Sequence, residues 1–587
     1  MGELGRKPQT LVEIDIPYCA RAYGVAPCNA VLGTTGPAKC FNSLKTCQFR
    51  SAYVAGVKTL TFTHNNDGIP DAPGVFPALK SVSTRPGELN LSGIDPKSTA
   101  LGTRARVTVS LQDFDNADTW LDKYQSERVS GAALASGVGY QPADRGQFIK
   151  RMFSRFPYYL GWPVRVRRGY VGDLPAAMPT ETYVMAELKG PDAGGNITMT
   201  AKDVIDLTEG SKAMYPPQSM GKLLTALTEL HTTATLTPDG IGDDEYPASG
   251  LVRIGREIMS YTRAGDVLTI TRAQEGSTLS THSELDAVQV CAVFEPQAIY
   301  EAVQTLLVEG AGIDPAQIPI ADWEAENKQW YGGINIRRVI LTKPVAVKTL
   351  IGELCQFGVL VWGDPVENEI QYRVNSPLGP GETFYQITDE NGLIEGAVDV
   401  DRAENQRIST IVFYHGVRDW TDEMSGRNFN KATAVSVSEN PYGQAAIFEI
   451  YSRWFGREGD DATASVIAER LVSRYQEVPK IVTGIVDVKD RAGIFLGARV
   501  EVTSYVLQDD DGALLAEPMQ VRHVEYSEDR VKFTAETYRL DGRFGFYMDS
   551  TTDEMDYDLA TAAERQAGAY WWDDTEPDFL TSAYVYY

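Results

Sequence analysis

The run Val164-Arg165-Val166-Arg167-Arg168-Gly169-Tyr170 alternates apolar and basic residues, and a second run follows over residues 181–188. Gly194-Gly195-Asn196 then supplies a turn before a third run over residues 197–200. A two-residue period sends successive side chains to opposite faces, so each run reads as a strand with one face on a core. Strands joined by tight turns, without helices alternating between them, argue an antiparallel barrel and against the parallel sheet of a nucleotide-binding fold.

The pattern extends in both directions. Upstream, Lys58-Thr59-Leu60-Thr61-Phe62-Thr63 and residues 104–111 alternate in the same way, and Phe148, Ile149, Met152, Phe153 and Phe156 have helical spacing. Downstream, residues 250–254, 257–262 and 267–272 read as strands of a small inserted module, with turns at Gly255-Arg256 and Ala264-Gly265-Asp266. Helical patterns occupy residues 297–308 and 346–357, and the second runs into a hairpin over 359–374. A strand over 406–414 and a helix over 462–475, behind the capping candidates Asp460 and Asp461, precede four more strands between 481 and 538. The expected fold class is β-rich α+β and multidomain. It has two barrel-like antiparallel β domains, a mixed α/β region, an inserted small β module and an extended C-terminal arm. The expected divisions are a cysteine-rich segment 1–50, a first barrel region with helix 51–237, the module 238–295, a mixed domain 296–400, a second barrel region 401–545 and the arm 546–587.

A length of 587 residues suits about three to five domains at roughly 100–200 residues each. Hydrophobic residues at 43% and charged residues at 23% exclude a disordered or collagen-like chain. With 54 Lys and Arg against 80 Asp and Glu, the formal net charge is −26, which repels phosphate backbones and anionic lipids over most of the surface. Five His leave little for imidazole catalysis. The start, Met1-Gly2-Glu3-Leu4-Gly5-Arg6-Lys7, leads into a polar stretch without the apolar core of a secretory signal. No window approaches the ~18 apolar residues of a spanning helix. The expectation is a soluble protein made in a reducing cytosol, where disulfides are not the default state of its six Cys.

Four of those six, Cys19, Cys28, Cys40 and Cys47, stand in one stretch as C-x8-C-x11-C-x6-C. Cys291 and Cys355 lie far away and read as small core residues. Clustered thiols in a reducing compartment point to a metal, with zinc, an iron–sulfur cluster and free or partly bridged thiols as the alternatives. The C-x2-4-C knuckle common in structural zinc sites is missing, and long loops rich in Gly and Pro separate the thiols. Such loops can wrap an object larger than one ion. No flavin or nucleotide fingerprint lies nearby to serve as an electron partner, so the expected role is a staple for a loop-rich segment.

Other constellations carry less. Gln508-Asp509-Asp510-Asp511-Gly512 resembles calcium-loop spacing, but Leu507 takes the first ligand position and a hairpin turn is the better reading. Asn65-Asn66-Asp67-Gly68 and Asp113, Asp115 and Asp118 are oxygen-rich in a chain full of carboxylates. His282 precedes Cys291 by nine residues, yet no surrounding pattern supports a thiol–imidazole pair, and His282 reads as a turn residue. The phosphate-loop, zinc-protease and nucleophile-elbow patterns are missing. The arm is acidic and aromatic: from Asp549 onward ten acidic residues and one basic, Arg565, alternate with Tyr and Trp, as in Tyr570-Trp571-Trp572-Asp573-Asp574. Aromatics in such number suit docking on a neighbouring subunit.

The segment from Val12-Glu13-Ile14-Asp15-Ile16-Pro17-Tyr18-Cys19 through Cys47-Gln48 resembles the cysteine-bearing segment of tail-tip hub proteins of long-tailed, siphovirus-like bacteriophages and gene transfer agents. The outer spacings C-x8-C and C-x6-C carry the likeness. Residues 246–284 are similar to a β module that recurs in tail-tip proteins, and Phe495-Leu496-Gly497-Ala498-Arg499-Val500 looks like the start of a hub barrel. The resemblance implies a [4Fe–4S] cluster on Cys19, Cys28, Cys40 and Cys47, with zinc as the lesser alternative. It implies a non-enzymatic virion protein at the tail tip, synthesised in the host bacterial cytoplasm. A homotrimer of two-barrel chains would form a pseudo-six-fold ring that closes the tail tube. Its implied partners are the distal tail protein, the tape-measure protein and a central fibre or tip protein, with no stable nucleic-acid binding and no membrane span. Two other readings are a tip-associated cell-wall hydrolase and a receptor-binding tail protein that uses the inserted module.

Overall fold

The computed structural model describes residues 7–31, 35, 40–64, 74–93, 101–116, 121, 147–209, 213–378, 382–390, 392–394, 396–437, 440–487, 493–526, 530–539, 543–545 and 584–586. The chain divides into two compact units. One holds residues 1–87, 104–204 and 363–369, and the other holds 88–103, 205–362 and 370–587. The fold is β-rich with few helices, as the alternation predicts.

The first unit is built on a closed seven-stranded barrel. Its strands are β1 (Pro8–Cys19), β2 (Ala55–His64), β3 (Val75–Arg85), β4 (Arg106–Gln112), β5 (Pro163–Tyr170), β6 (Thr180–Lys189) and β7 (Asn196–Lys202), in the order β1-β2-β3-β4-β7-β6-β5. The inward positions Val12, Ile14 and Ile16 of β1 meet Leu60, Phe62, Val107, Val109, Val164 and Val166 in one buried core. Burial of each such side chain is worth about 1.5–3 kcal/mol. The outward positions are charged and matched across the ladder. Glu13 stands opposite Arg165, and Arg165 reaches Glu13 Oε2 at 2.8 Å and Asp15 Oδ1 at 2.7 Å. Burial alone would push the Asp15 carboxyl up, but hydrogen bonds from Arg165 and Thr59 hold it below its usual range.

Helix α1 (Phe148–Arg155) contributes Phe148, Ile149 and Met152 to this core. Asp113, just past the end of β4, caps it. Its Oδ1 accepts the Ile149 amide at 2.7 Å, and its Oδ2 accepts the Lys150 amide at 3.1 Å. The carboxylate thus meets the unsatisfied donors and the positive end of the helix.

Two features depart from the sequence reading. The barrel is not wholly antiparallel, because β2 and β3 run parallel, with Thr61 opposite Val75. Alternation identifies a strand but carries no information on its direction. In addition, residues 1–50 do not form a unit apart from the barrel. Residues Pro8–Cys19 are its first strand, and the rest of the cysteine-bearing stretch is an excursion between β1 and β2.

In the second unit, the inserted module is part of a seven-stranded sheet. Its strands lie in the order Val339–Leu341, Val288–Phe294, Ser249–Ile254, Glu257–Ala264, Val267–Thr271, Thr233–Thr237 and Lys222–Leu223. A three-stranded sheet, Phe429–Ser436, Thr410–Val417 and Ile447–Tyr451, lies under helix Asp461–Tyr475. Asp460 caps that helix, accepting the Thr463 amide at 3.0 Å, as expected from the sequence. The 297–308 pattern forms a helix over Ile299–Thr305 that widens into a π-turn over Leu306–Gly310.

A six-stranded sheet follows, in the order Tyr385–Thr388, Arg499–Gln508, Leu514–Tyr526, Arg530–Thr537, Lys480–Asp487 and Asp399–Arg402. Tyr385–Thr388 pairs parallel to Arg499–Gln508 at one edge, and Leu393 bridges Val486 of Lys480–Asp487 near the other. The passage from Tyr385 to Arg402 therefore contributes to both edges, which curls the sheet about a core of Ile387, Leu393, Val500, Met519, Val521 and Phe533. The expected arm 546–587 lies outside the described residues, except that Tyr584–Tyr586 pairs antiparallel with Arg543–Gly545.

Candidate metal centre

Strand β1 delivers Cys19 as its last residue, directly opposite Ala55, the first residue of β2. The chain leaves the barrel after Cys19 and returns at Ala55. The Ala20 amide donates to the Val54 carbonyl at 2.9 Å, which ties the neck of the excursion.

Each remaining thiol sits at the end of a turn. The Cys28 amide donates to the Val25 carbonyl at 2.9 Å. Between Cys40 and Cys47 the spacer closes on itself: Phe41 N–H donates to Thr46 Oγ1 at 3.1 Å, Thr46 N–H donates to Ser43 Oγ at 3.2 Å, and the two hydroxyls lie 2.8 Å apart. The Cys47 amide reaches the Leu44 carbonyl at 3.4 Å. Ser and Thr suit this task because their hydroxyls replace backbone partners in tight turns. The C-x6-C spacing is thus a closed loop with a thiol at each end. Next to it, Gln48 Oε1 accepts the Tyr23 hydroxyl at 2.9 Å and the Thr35 hydroxyl at 3.1 Å, which gathers three parts of the excursion.

All four thiols line one small cavity that opens to solvent, together with Arg21, Tyr23, Asn42, Ser43 and Gln48. Each Cys is partly exposed and none is in a disulfide. Burial and the proximity of Cys19 and Cys47 push the Tyr53 phenol up. Among the described residues, no three Cys, His, Asp or Glu side chains are close enough together to hold one metal ion. The donor set is all sulfur, with neither carboxylate nor imidazole in the cavity lining. Soft thiolates are the ligands that iron–sulfur clusters and zinc take, so the residues present fit the expected group in chemical kind.

The other cysteines behave as core. Cys291 stands opposite Leu251 in the module sheet, where burial pushes its thiol up to about 12, and Cys355 is buried in its helix. The aspartates of residues 508–512 form a hairpin turn in which Asp509 Oδ1 accepts the Asp511 and Ala513 amides at 3.0 and 2.8 Å. Asp113 is the helix cap described above. Asp118 and residues 65–68 lie outside the described residues.

His282 is not the turn residue expected: it is buried and forms an antiparallel bridge with Leu227, each amide donating to the other's carbonyl at 2.9 Å. Its Nε2 lies 2.9 Å from Oε2 of Glu257, a fully buried carboxylate that the sequence reading passed over. Glu257 also accepts Arg272 Nε and Nη2 at 2.9 and 2.7 Å, the Ala273 amide at 2.9 Å and the Ser280 amide at 3.1 Å. Burial alone would raise its carboxyl. The bonds from Arg272, His282 and the two amides outweigh it and hold the group at about 2. With every donor engaged inside the module, the cluster is a packing element. Strand parity was the available signal, since Glu257 shares the inward face of its strand with Met259 and Tyr261.

No protein-family model matches the sequence, and no curated protein matches it. Solved structures do show likenesses, among them a 43 kDa tail protein of prophage MuSo2 from Shewanella oneidensis. That match has TM-score 0.36 and 10% identity, over 79% of this chain and 98% of that one. A tail protein from Neisseria meningitidis is similar with TM-score 0.32 and 8% identity, over 64% of this chain and 88% of that one. An E. coli component of the type VI secretion system, itself described as similar to T4 bacteriophage tail proteins, aligns with TM-score 0.30 and 10% identity, over 88% of this chain and 98% of that one.

Proposed function

We propose that the chain is a tail hub: a structural, non-enzymatic protein at the distal end of a long, non-contractile phage or gene-transfer-agent tail tube. In this reading Cys19, Cys28, Cys40 and Cys47 hold a [4Fe–4S] cluster as a structural staple. The observation that carries it is the gathering of the four thiols onto one cavity in the β1–β2 excursion of a closed barrel. Their spacing resembles that of the tail-hub segment. When bound, the cluster supplies covalent iron–sulfur links among four chain positions. The chain's own part is to hold the thiols with the Ser43–Thr46 turn, the Val25–Cys28 turn and the end of β1, and to place the Arg21 cation beside the anionic site.

The assembly proposed is a homotrimer. One closed barrel and one curled sheet per chain, three times over, give six β units to match a six-fold tube. Its partners would be the distal tail ring, the tape-measure protein inside and a central fibre or tip protein below. A net charge of −26 suits a wall past which DNA moves without being held. Gold-labelled antibody to the chain, imaged on intact tails by electron microscopy, tests the placement. Label confined to the tip supports the hub, and label along the tube or on the head refutes it.

A further inference from the structure

We propose that Asn42 is the residue that positions the thiols for cluster uptake, by fixing the loop that carries Cys40 and Cys47 to the strand that carries Cys19. This role rests on the reading of the four thiols as a cluster site. Asn42 is 3% exposed and lines the cavity. Its backbone is left-handed, with φ of 57°, a conformation that Asn adopts more readily than other side chains with a Cβ. That twist turns the residue toward β1 so that main chain and side chain act on the same neighbour. Its carbonyl accepts the Cys19 amide at 2.7 Å. Its side-chain amide donates to the Cys19 carbonyl at 3.0 Å and to the Arg21 carbonyl at 3.3 Å. Both backbone groups of one ligand residue are thus held by a single residue lying between two others in sequence. Cys19 is also fixed opposite Ala55 by β2, so Asn42 sets the Cys40–Cys47 turn relative to the rigid barrel.

The amide is needed at this position because two carbonyls face it. Aspartate keeps the size and tolerates the left-handed backbone, but it sets acceptors against acceptors. Glycine keeps the backbone and the Cys19 N–H bond, but it loses the two side-chain bonds.

The test compares the full-length wild type with Asn42→Asp and Asn42→Gly, purified without air. Iron per chain, the EPR spectrum, the rate of iron loss to a strong chelator and the melting temperature of the metal-free forms are measured. The expected result is iron loss accelerated about tenfold or more in both variants, more in Asn42→Asp, since two net hydrogen bonds are removed. Metal-free melting temperatures should match the wild type. Wild-type iron retention in both variants overturns the role. So does an equal fall in metal-free melting temperature, which would make Asn42 a stabilising residue alone. If Asn42→Asp does not fold, Asn42→Gly decides. A wild type without iron overturns the cluster reading itself, and this role with it; a loaded wild type with equally retentive variants overturns the role alone.

Discussion

Cys19 and Ala55 face each other across the first rung of the β1–β2 ladder, so the excursion that carries the other three thiols begins and ends at one point of the barrel. Among the described residues the barrel core draws on none of that excursion: Val12, Ile14, Leu60, Val107 and Val164 are buried with residues of the strands, α1 and the segments that flank it. A staple in the excursion therefore orders the excursion and leaves the barrel intact. If the thiols hold the proposed cluster, its removal should let the Cys28 and Cys47 amides exchange with solvent much faster, while the β1–β5 ladder amides stay protected. Mass-spectrometric hydrogen exchange before and after chelation reads both.

The cap of α1 gives a second expectation. Asp113→Ala removes the acceptor of the Ile149 and Lys150 amides at a buried helix start. The cost should be about 0.5–2 kcal/mol, the range for lost N-caps. Urea unfolding followed at the barrel measures it, with Asp113→Asn expected to recover part of the loss.

Glu257 anchors the inserted module. Glu257→Gln leaves Arg272 buried without its counter-charge and should destabilise the module by about 3–5 kcal/mol. The carboxyl is held at about 2 in the folded state, against about 4.3 when unfolded. Its contribution is therefore fully present above about pH 4.3 and is lost as pH falls toward about 2. Acid unfolding monitored in the module should show this dependence in the wild type and lose it in Glu257→Gln.

His415 predicts a dependence nearer neutrality. It is fully buried, with Nε2 2.9 Å from Thr433 Oγ1 and Nδ1 accepting the Asp460 amide at 3.3 Å. Burial pushes its pKa below the usual value; Lys431 adds to this, and Asp461 and Asp460 oppose it. Below about pH 6.5 the unfolded chain takes up a proton that the folded state resists, so stability falls on acidification from that point. His415→Gln should flatten denaturation midpoints measured between pH 7 and pH 5.

The sequence disclosed the strands better than their arrangement. Val164 and Val166 alternate with Arg165 and Arg167, and the structure turns the valines inward and the arginines out. That Glu13 and Asp15 receive Arg165 depends on β5 lying beside β1, which no local pattern encodes. The same applies to the parallel β2–β3 pair. Val12, Ile14 and Ile16 already alternate with Glu13 and Asp15, so the strand ahead of Cys19 was legible, although the thiols drew it into a separate segment. At the site, the four thiols were legible from type and spacing. Asn42, Gln48 and the Ser43–Thr46 turn were not, because their roles arise from hydrogen bonds between segments that the spacing does not order.

The central claim is that the four gathered thiols hold an iron–sulfur cluster. Iron, acid-labile sulfide and zinc should be measured on full-length protein purified without air, with its visible and EPR spectra. The account predicts brown protein with about four irons and about four sulfides per chain, lost when Cys28 or Cys40 is changed to Ser. About one zinc per chain, or four free thiols without metal, would contradict it.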